Sequence, residues 1–431
     1  MNATLSAAPM TREEIVEAIC RTLRGLPDVP GDVPLRPETR LQEDLGLDSV
    51  GSLSLIVALE LECGIEIPES AVFKEAFATI SSLASALTGE AAEKPVEEFA
   101  DIKVHCFISC LCEIVKTCDF TDHRPFYFGV WDAETVVDGN CRITNHSDTI
   151  HHDFFREWFQ RLYGVEVVSW FDPTKSRREN IDHLSTLLET KSPRQQVMVM
   201  LDLHQLPERE NRFDKDPFPH YVLLERTDDP EILFMSDPDF RWEGPLPARR
   251  VFQGIDQPTV GGGFVFDAAE LTPTSPAVID AYFKACLIED RNPLTDAIRG
   301  SVEAHATGRA PDGRPLALES LEQAVFDVPL LAIRKYAYEH GLAFFWRELS
   351  LDGDEFERWC EVVAELVHGY TRLQYRAIKL SKGSNEEVLR EIRQLLDEQD
   401  EREFRIKHRL KEVHAQWVAT CFDKTDAKSE S

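Results

Sequence analysis

Cys106, His220 and Asp237 are the residues of this chain whose types could together perform nucleophilic catalysis. A cysteine nucleophile needs its thiolate, an imidazole near enough to hold the proton, and a group that orients the imidazole. His105-Cys106 precedes the apolar run Phe107 to Val115, which reads as a helix and puts Cys106 at its start, where the dipole favours a thiolate. Pro217-Phe218-Pro219-His220 leads into the strand Tyr221–Leu224, and the next strand, Ile232–Met235, ends at Ser236-Asp237-Pro238. Paired as adjacent antiparallel strands, these would set His220 and Asp237 side by side, facing the helix that begins with Cys106. Taken singly, each residue has a plainer reading: packing for the cysteine, a surface or capped position for the histidine, a turn for the aspartate.

Other segments carry chemistry on weaker grounds. Asp44-Leu45-Gly46-Leu47-Asp48-Ser49-Val50 opens a helix, and on local grounds Ser49 reads first as its N-cap. His151-His152-Asp153 has the residue types of a metal cluster, but adjacent histidines point apart, and a helix N-terminus is the better reading. Gly261-Gly262-Gly263 lacks the Lys-Ser/Thr and helix of a phosphate loop and reads as a turn. Glu208, Glu210, Asp214 and Asp216 precede His220 either as a solvated loop or as an acidic rim that attracts a cationic polyamine. Cys106, Cys110, Cys112 and Cys118 follow a C-x3-C-x-C-x5-C pattern rather than the paired knuckles of structural zinc sites, so no metal is expected.

These residues fall in three differently textured regions, separated by a short linker. Residues 1–90 read as a small helical unit: Thr11 and Glu14 form a capping box ahead of Ile15, Ile19 and Leu23, a helix starts near Ser49, and Ile80 to Leu87 suggest a last short one. Residues 91–100 form the linker. Residues 101–270 mix helices near Cys106 and over Asp153–Tyr163 with strands at Val165–Trp170, Val197–Leu203, Tyr221–Leu224 and Ile232–Met235, an α+β pattern. Residues 271–431 are helical, with apolar residues at three- and four-residue spacing in Glu355–Leu366 and Glu386–Leu410. Tyr336, Tyr338, Phe344, Phe345, Trp346 and Tyr370 in that last region read mainly as core, or as a wall of an acceptor site or a dimer surface.

Composition narrows the function class. Of 431 residues, 47 are basic and 77 acidic, a formal charge of −30, which repels phosphate backbones and lowers the prior for nucleic acid. The hydrophobic share of 43% is ordinary for globular domains. No run approaches the roughly 20 apolar residues of a membrane span, and the first residues do not form a secretory signal. Ten dispersed cysteines in that setting read as reduced thiols in the cytoplasm.

Two family resemblances add to this. Residues 10–88 resemble an acyl carrier protein through Asp44 to Val50, the apolar–acidic helix Leu53–Cys63 and Gly64-Ile65-Glu66-Ile67-Pro68. The resemblance implies a four-helix carrier domain with 4′-phosphopantetheine on Ser49, attached by a phosphopantetheinyl transferase and loaded by an acyl- or aryl-adenylating enzyme. It also implies that Glu60, Glu62, Glu66 and Glu69 meet basic partner surfaces. Cys, His and Asp on helix, strand and strand follow the order of papain-like folds. His105-Cys106, Asp202 to Pro207, His220 to Leu223 and Asp237 resemble the butirosin-type acyltransferases, which move an acyl group from a carrier thioester to an amine. Residues 101–420 resemble the condensing proteins of petrobactin assembly, which join a carrier-bound 3,4-dihydroxybenzoyl group to spermidine.

The expectation is a multidomain protein: a small all-α carrier domain, then a papain-like α+β cysteine acyltransferase with a helical C-terminal part, forming an amide between a carrier-bound aryl group and a polyamine or other amine. A triad does not by itself choose amine over water, so a thioesterase or amidase that unloads the carrier stays open. So does a non-catalytic carrier scaffold.

Overall fold

The computed structural model describes residues 10–26, 29, 33–42, 44–47, 49–65, 67–68, 72, 77–88, 104–145, 152–209, 216–383 and 385–429. Helix α1 (Arg12–Gly25) starts at the expected capping box: Thr11 Oγ1 accepts the Glu14 amide and Glu14 Oε2 accepts the Thr11 amide. With α2 (Ser49–Cys63) and α3 (Ile80–Leu87) it forms a small bundle around Ile15, Ile19, Leu23, Ile56, Ile80 and Leu83. Three helices of this unit lie among the described residues; the fourth that was expected is not among them.

Helix α4 (Cys106–Lys116) opens the α+β region. A two-residue hairpin, β1 (Val136–Val137) with β2 (Ile143–Thr144), precedes α5 (Asp153–Tyr163), whose bounds are those the sequence suggested. Then follow β3 (Val168–Ser169), α6 (Arg177–Thr190), β4 (Gln195–Asp202), β5 (Pro219–Arg226), β6 (Ile232–Asp237), β7 (Trp242–Pro247), α7 (Ala248–Ile255) and β8 (Gly263–Asp267). The six-stranded sheet has the order β3-β8-β4-β5-β6-β7 and is antiparallel throughout. Alternation along β4 and β5 sends Met198, Tyr221 and Leu223 into the core beneath α4, and Val197, Val199, Val222 and Leu224 to the side covered by α6 and α7. With both faces covered, β5 has a continuous apolar stretch, which is why it was legible. Strand β7 was missed because it reads Trp-Glu-Gly-Pro-Leu-Pro; at the sheet edge, Pro245 and Pro247 interrupt no second ladder.

The helical region comprises α8 (Pro276–Cys286), α9 (Pro293–Thr307), α10 (Leu321–Ala324), α11 (Val328–Ala332), α12 (Ala337–Leu349), α13 (Gly353–Ser381) and α14 (Glu386–Ser429). Tyr338, Phe344, Phe345, Trp346 and Tyr370 are buried in its core, so they form neither a cavity wall nor an exposed dimer surface. A buried ionic network ties this region to the α+β region. Lys335 Nζ lies 3.0 Å from Asp132 Oδ1 and 2.6 Å from Glu403 Oε1, while Lys407 Nζ lies 2.8 Å from Asp132 Oδ2. Tyr338 and Tyr370 donate to Glu403 at 2.8 and 2.9 Å, and Lys407 donates to the carbonyls of Ile288 and Arg291. Burial would strip the proton from Lys335, but Glu403 and Asp132 outweigh it and raise its pKa.

Removing one partner of such a network leaves a charge without compensation, at a cost of about 3–5 kcal/mol. Glu403→Ala is expected to lose that much unfolding free energy in urea titrations, while the exposed Glu398→Ala stays within about 0.5 kcal/mol of the parent.

Candidate active site

His105 occupies the N-cap of α4 with an extended backbone and no side-chain cap bond. Asp239, from the turn after β6, supplies the acceptor instead: its Oδ1 takes the amides of Val104 at 3.3 Å and His105 at 3.2 Å, and the Ser109 hydroxyl at 2.9 Å. Cys106, the first helical residue, is half-buried, and like the other nine cysteines it forms no disulfide. A first-turn amide has no acceptor within its own helix, so the Cys106 N–H is left for an oxygen placed over the helix end.

Strands β5 and β6 pair with Leu223 opposite Ser236. At their ends His220 Nε2 stands 3.0 Å from Asp237 Oδ1, and Cys106 borders the same cavity as the ring, near enough to act on its charge. With Nε2 committed to the carboxylate, Nδ1 is the nitrogen left for sulfur. Burial would favour the neutral ring, but the Asp237 carboxylate beside it, with a smaller pull from Cys106, outweighs burial and raises the His220 pKa well above 6.5. Burial likewise opposes ionisation of Asp237, yet His220, the Arg209 guanidinium at 2.8 Å and the Phe240 amide hold its pKa below the usual carboxylate value. Arg209 itself lies over the Trp242 ring, 4.4 Å from its centroid.

Cys106 and His220 face a cavity of about 780 Å³. Phe171, Phe218, Tyr221, Phe240 and Phe264 give it aromatic walls, and Leu330, Ile333 and Arg334 close it from the helical region. The glycine run borders this space: a Cβ on Gly263 would overlap the Trp170 indole, and one on Gly262 would lie 2.9 Å from the Tyr221 hydroxyl. Burial lowers the Arg334 pKa to about 10 against the pull of Cys106 and Asp327; its guanidinium donates to the Glu134 carbonyl at 3.3 Å. Burial, then the charges of Arg334, His152 and His220, keep His105 neutral, and its Nδ1 has no hydrogen-bond partner among the described residues.

The remaining sequence candidates take other places. His152 is the residue before α5 and stacks on Phe107 at 4.1 Å; His151 lies outside the described residues, among which no three metal-ligating side chains gather. Cys110 and Cys112 are buried in α4, and burial pushes both thiols up. Glu208 pairs with Arg250, and Asp216 lies 3.5 Å from His204, so these two acids are not a bare rim; Glu210 and Asp214 fall outside the described residues. Asp239, Arg209 and Arg334 were missed. For Asp239 the signal was present in Asp237-Pro238-Asp239, whose second acid points back across the turn; nothing local marks the two arginines.

Three family patterns match the chain: the phosphopantetheine attachment site over residues 13–87, the DUF6005 N-terminal domain over 101–271 and the DUF6005 C-terminal domain over 277–431. Petrobactin synthase of Bacillus anthracis is 38% identical over 316 residues, which cover 73% of this chain and 95% of that protein. The chain belongs to the petrobactin synthase family. Its N-terminal unit is 34% identical over 74 residues to acyl carrier protein AsbD of Bacillus anthracis, covering 17% of this chain and 81% of that carrier. This carrier domain holds a covalently attached 4′-phosphopantetheine, which requires a phosphopantetheinyl transferase to attach it and an enzyme to load it.

The start of α2 fits that group. Ser49 is the first helical residue, Gly46 takes φ +69°, and Leu45 and Leu47 anchor the turn in the core. No acid stands in the first turn of α2, so its unpaired amides can meet a phosphodiester. Among the described residues no helix is long and apolar enough to cross a membrane.

Because the His220 pKa is raised on folding, its stabilising effect is complete below the unfolded value near 6.5 and fades as pH rises through the folded one. Asp237 contributes in the opposite sense, losing its effect as pH falls through its lowered value. In Asp237→Asn, burial acts on the ring with less opposition, so the His220 midpoint followed by NMR should fall. The stability difference from the parent should shrink at alkaline pH. An unchanged midpoint would show that the carboxylate does not set the ring's protonation.

Proposed function

We propose that this chain is a carrier-fused N-acyltransferase that forms an amide between a phosphopantetheine-bound aryl group and a polyamine or other amine in siderophore assembly. The observation that carries the reading is His220 bonded to Asp237 and set with Cys106 on the wall of one aromatic-lined cavity. The carrier domain and the likeness to petrobactin synthase point to carrier-dependent, siderophore-related synthetase chemistry. The proposal includes a carrier domain over residues 1–90, a linker over 91–100, a papain-like catalytic domain over 101–270 and a helical region over 271–431 that completes the site. An antiparallel sheet with a nucleophile at a helix start supports the papain-like assignment.

In this reading Ser49 bears the arm, which supplies the acyl group as a thioester when attached. Cys106 bonds the acyl carbon, and His220 Nδ1 holds the thiol proton, then returns it to the departing sulfur. The Cys106 amide donates to the oxyanion that forms during attack, and the Arg334 charge lies across the same cavity. In the second half His220 takes a proton from the incoming amine as the amide bond forms, and Cys106 leaves as the thiol. Asp237 keeps Nε2 occupied throughout, so that Nδ1 faces the reacting atoms.

The aromatic walls suit a flat acyl group. The acids that line the cavity, Asp153 and Asp239, are already bonded to Arg156 and to the start of α4. The amine-binding side therefore depends on acids farther out or on charges freed on binding.

The test loads Ser49 with candidate aryl groups, adds a panel of amines including spermidine, and reads products and intact protein by mass spectrometry. An aryl amide should form, and an aryl mass should appear on Cys106 when the amine is withheld. Cys106→Ala should lower turnover by at least about 10³-fold. Near-parent turnover in Cys106→Ser would leave direct aminolysis with His220 as base, and release of free acid at the same rate with and without amine would make the protein a hydrolase.

A further inference from the structure

Helix α2 is apolar on too many sides for a helix that covers only a small bundle. Ser52, Leu53, Leu55, Ile56, Val57 and Leu59 are all buried, an arc of about 200° at 3.6 residues per turn. A surface helix normally buries a narrower stripe. The surplus is covered by the helical region: α2 packs against α1 on one side and α13 on the other.

Polar contacts flank this apolar seam. Glu60 accepts from the Tyr375 hydroxyl at 2.7 Å and lies 2.7 Å from Lys379 Nζ, both on α13. Six residues nearer Ser49, about 9 Å along the helix, the Ser54 hydroxyl donates to Glu322 of α10 at 2.6 Å. Glu322 also pairs with Lys382. The chain then runs from α10 through α11, which supplies Leu330 to the cavity, to the turn Ile333–Tyr336, which supplies Ile333 and Arg334. The ledge under the carrier and one wall of the cavity are therefore built from adjoining elements, since α13 also packs against α11 and that turn.

We infer that Tyr375, Lys379, Lys382 and Glu322 form a docking ledge for this chain's own carrier domain, which holds α2 in position for delivery in cis. The delivery half of this rests on the acyl transfer proposed above; the docking half does not. On a protein of charge −30, Lys379 and Tyr375 gathered on one helix form a local site that fits the Glu60 carboxylate of α2, while Lys382, at the C-cap of α13, is held by Glu322 within the ledge. With the donor tethered, its effective concentration at the ledge is on the order of millimolar, well above that of a carrier on another molecule at micromolar protein.

The docking half is tested on the full chain without any substrate. Carbodiimide should join Lys379 to Glu60 within one molecule, found by peptide mass spectrometry at dilute protein concentration. Glu60→Lys and Lys379→Glu should each raise hydrogen exchange in 51–63 and 370–382 by about tenfold, the equivalent of one charge-assisted hydrogen bond. The double variant, with the charges exchanged, should restore most of the protection. Exchange unaltered in both single variants, or a double variant no better than either, would overturn the ledge.

The delivery half is tested by mixing full-length Ser49→Ala with full-length, loaded Cys106→Ala, so that transfer must occur between molecules. At micromolar protein the mixture should run at least about 100-fold slower than the parent; equal rates would overturn delivery in cis. Absence of transfer in the parent would remove the acyltransferase reading and leave the exchange result standing by itself.

Discussion

The turn that follows β6 holds the site together through two carboxylates a single residue apart. Asp237 fixes the His220 ring, and Asp239 gathers two backbone amides and a hydroxyl at the start of α4. Pro238 stiffens the link between them. One short segment thus ties the start of α4 to the His220 ring, in addition to the packing of α4 on β5. Both acids are buried, and their charge is tolerable because each is matched: Asp237 by Arg209 and His220, Asp239 by the Val104 and His105 amides just before α4 and by the Ser109 hydroxyl. The Asp239 carboxyl remains the less relieved of the two; burial, then the neighbouring Asp237, raises its pKa.

A second buried ionic assembly serves the same end from the other side. Lys335 neighbours Arg334 in sequence, and its partner Asp132 lies two residues before Glu134, whose carbonyl holds the Arg334 guanidinium. The network of Lys335, Asp132, Glu403 and Lys407 therefore fixes the wall that the helical region contributes to the cavity. Hydrophobic packing could hold these helices together as strongly, but it would specify less closely where the Arg334 guanidinium stands at the cavity. This gives a physical reason for the helical region to belong to the site rather than merely follow it.

What could be read from the residues was decided by locality. The capping box of α1, the bounds of α5 and the apolar core of β5 are written in adjacent residues, and all stand where expected. The convergence of Cys106, His220 and Asp237 was legible because helix start, strand and strand each had a local signal and one pairing rule joined them. Arg209 and Arg334 were not legible: each acts only through a partner dozens of residues away, Asp237 for one and Glu134 for the other. The aromatic cluster of the last region read mainly as core, and Tyr338, Phe344, Phe345, Trp346 and Tyr370 are indeed buried there; the alternative of a wall stayed open because composition cannot tell a core from a wall.

The same limit applies to α2, whose sequence proclaimed a carrier and hid an interface. Its apolar residues read as one core helix, yet their arc is wide enough to serve two neighbours. A carrier that circulates among several enzymes needs a polar recognition face, because exposed apolar area invites association. A carrier fused to its consumer can cover part of that face permanently, provided the cover loosens for loading. Glu60, Tyr375 and Lys379 meet at the edge of the seam, where an ion pair adds directional preference but gives way more readily than buried packing. Fusion thus replaces a search among partners with an equilibrium between docked and free states, and the strength of that edge contact sets the balance.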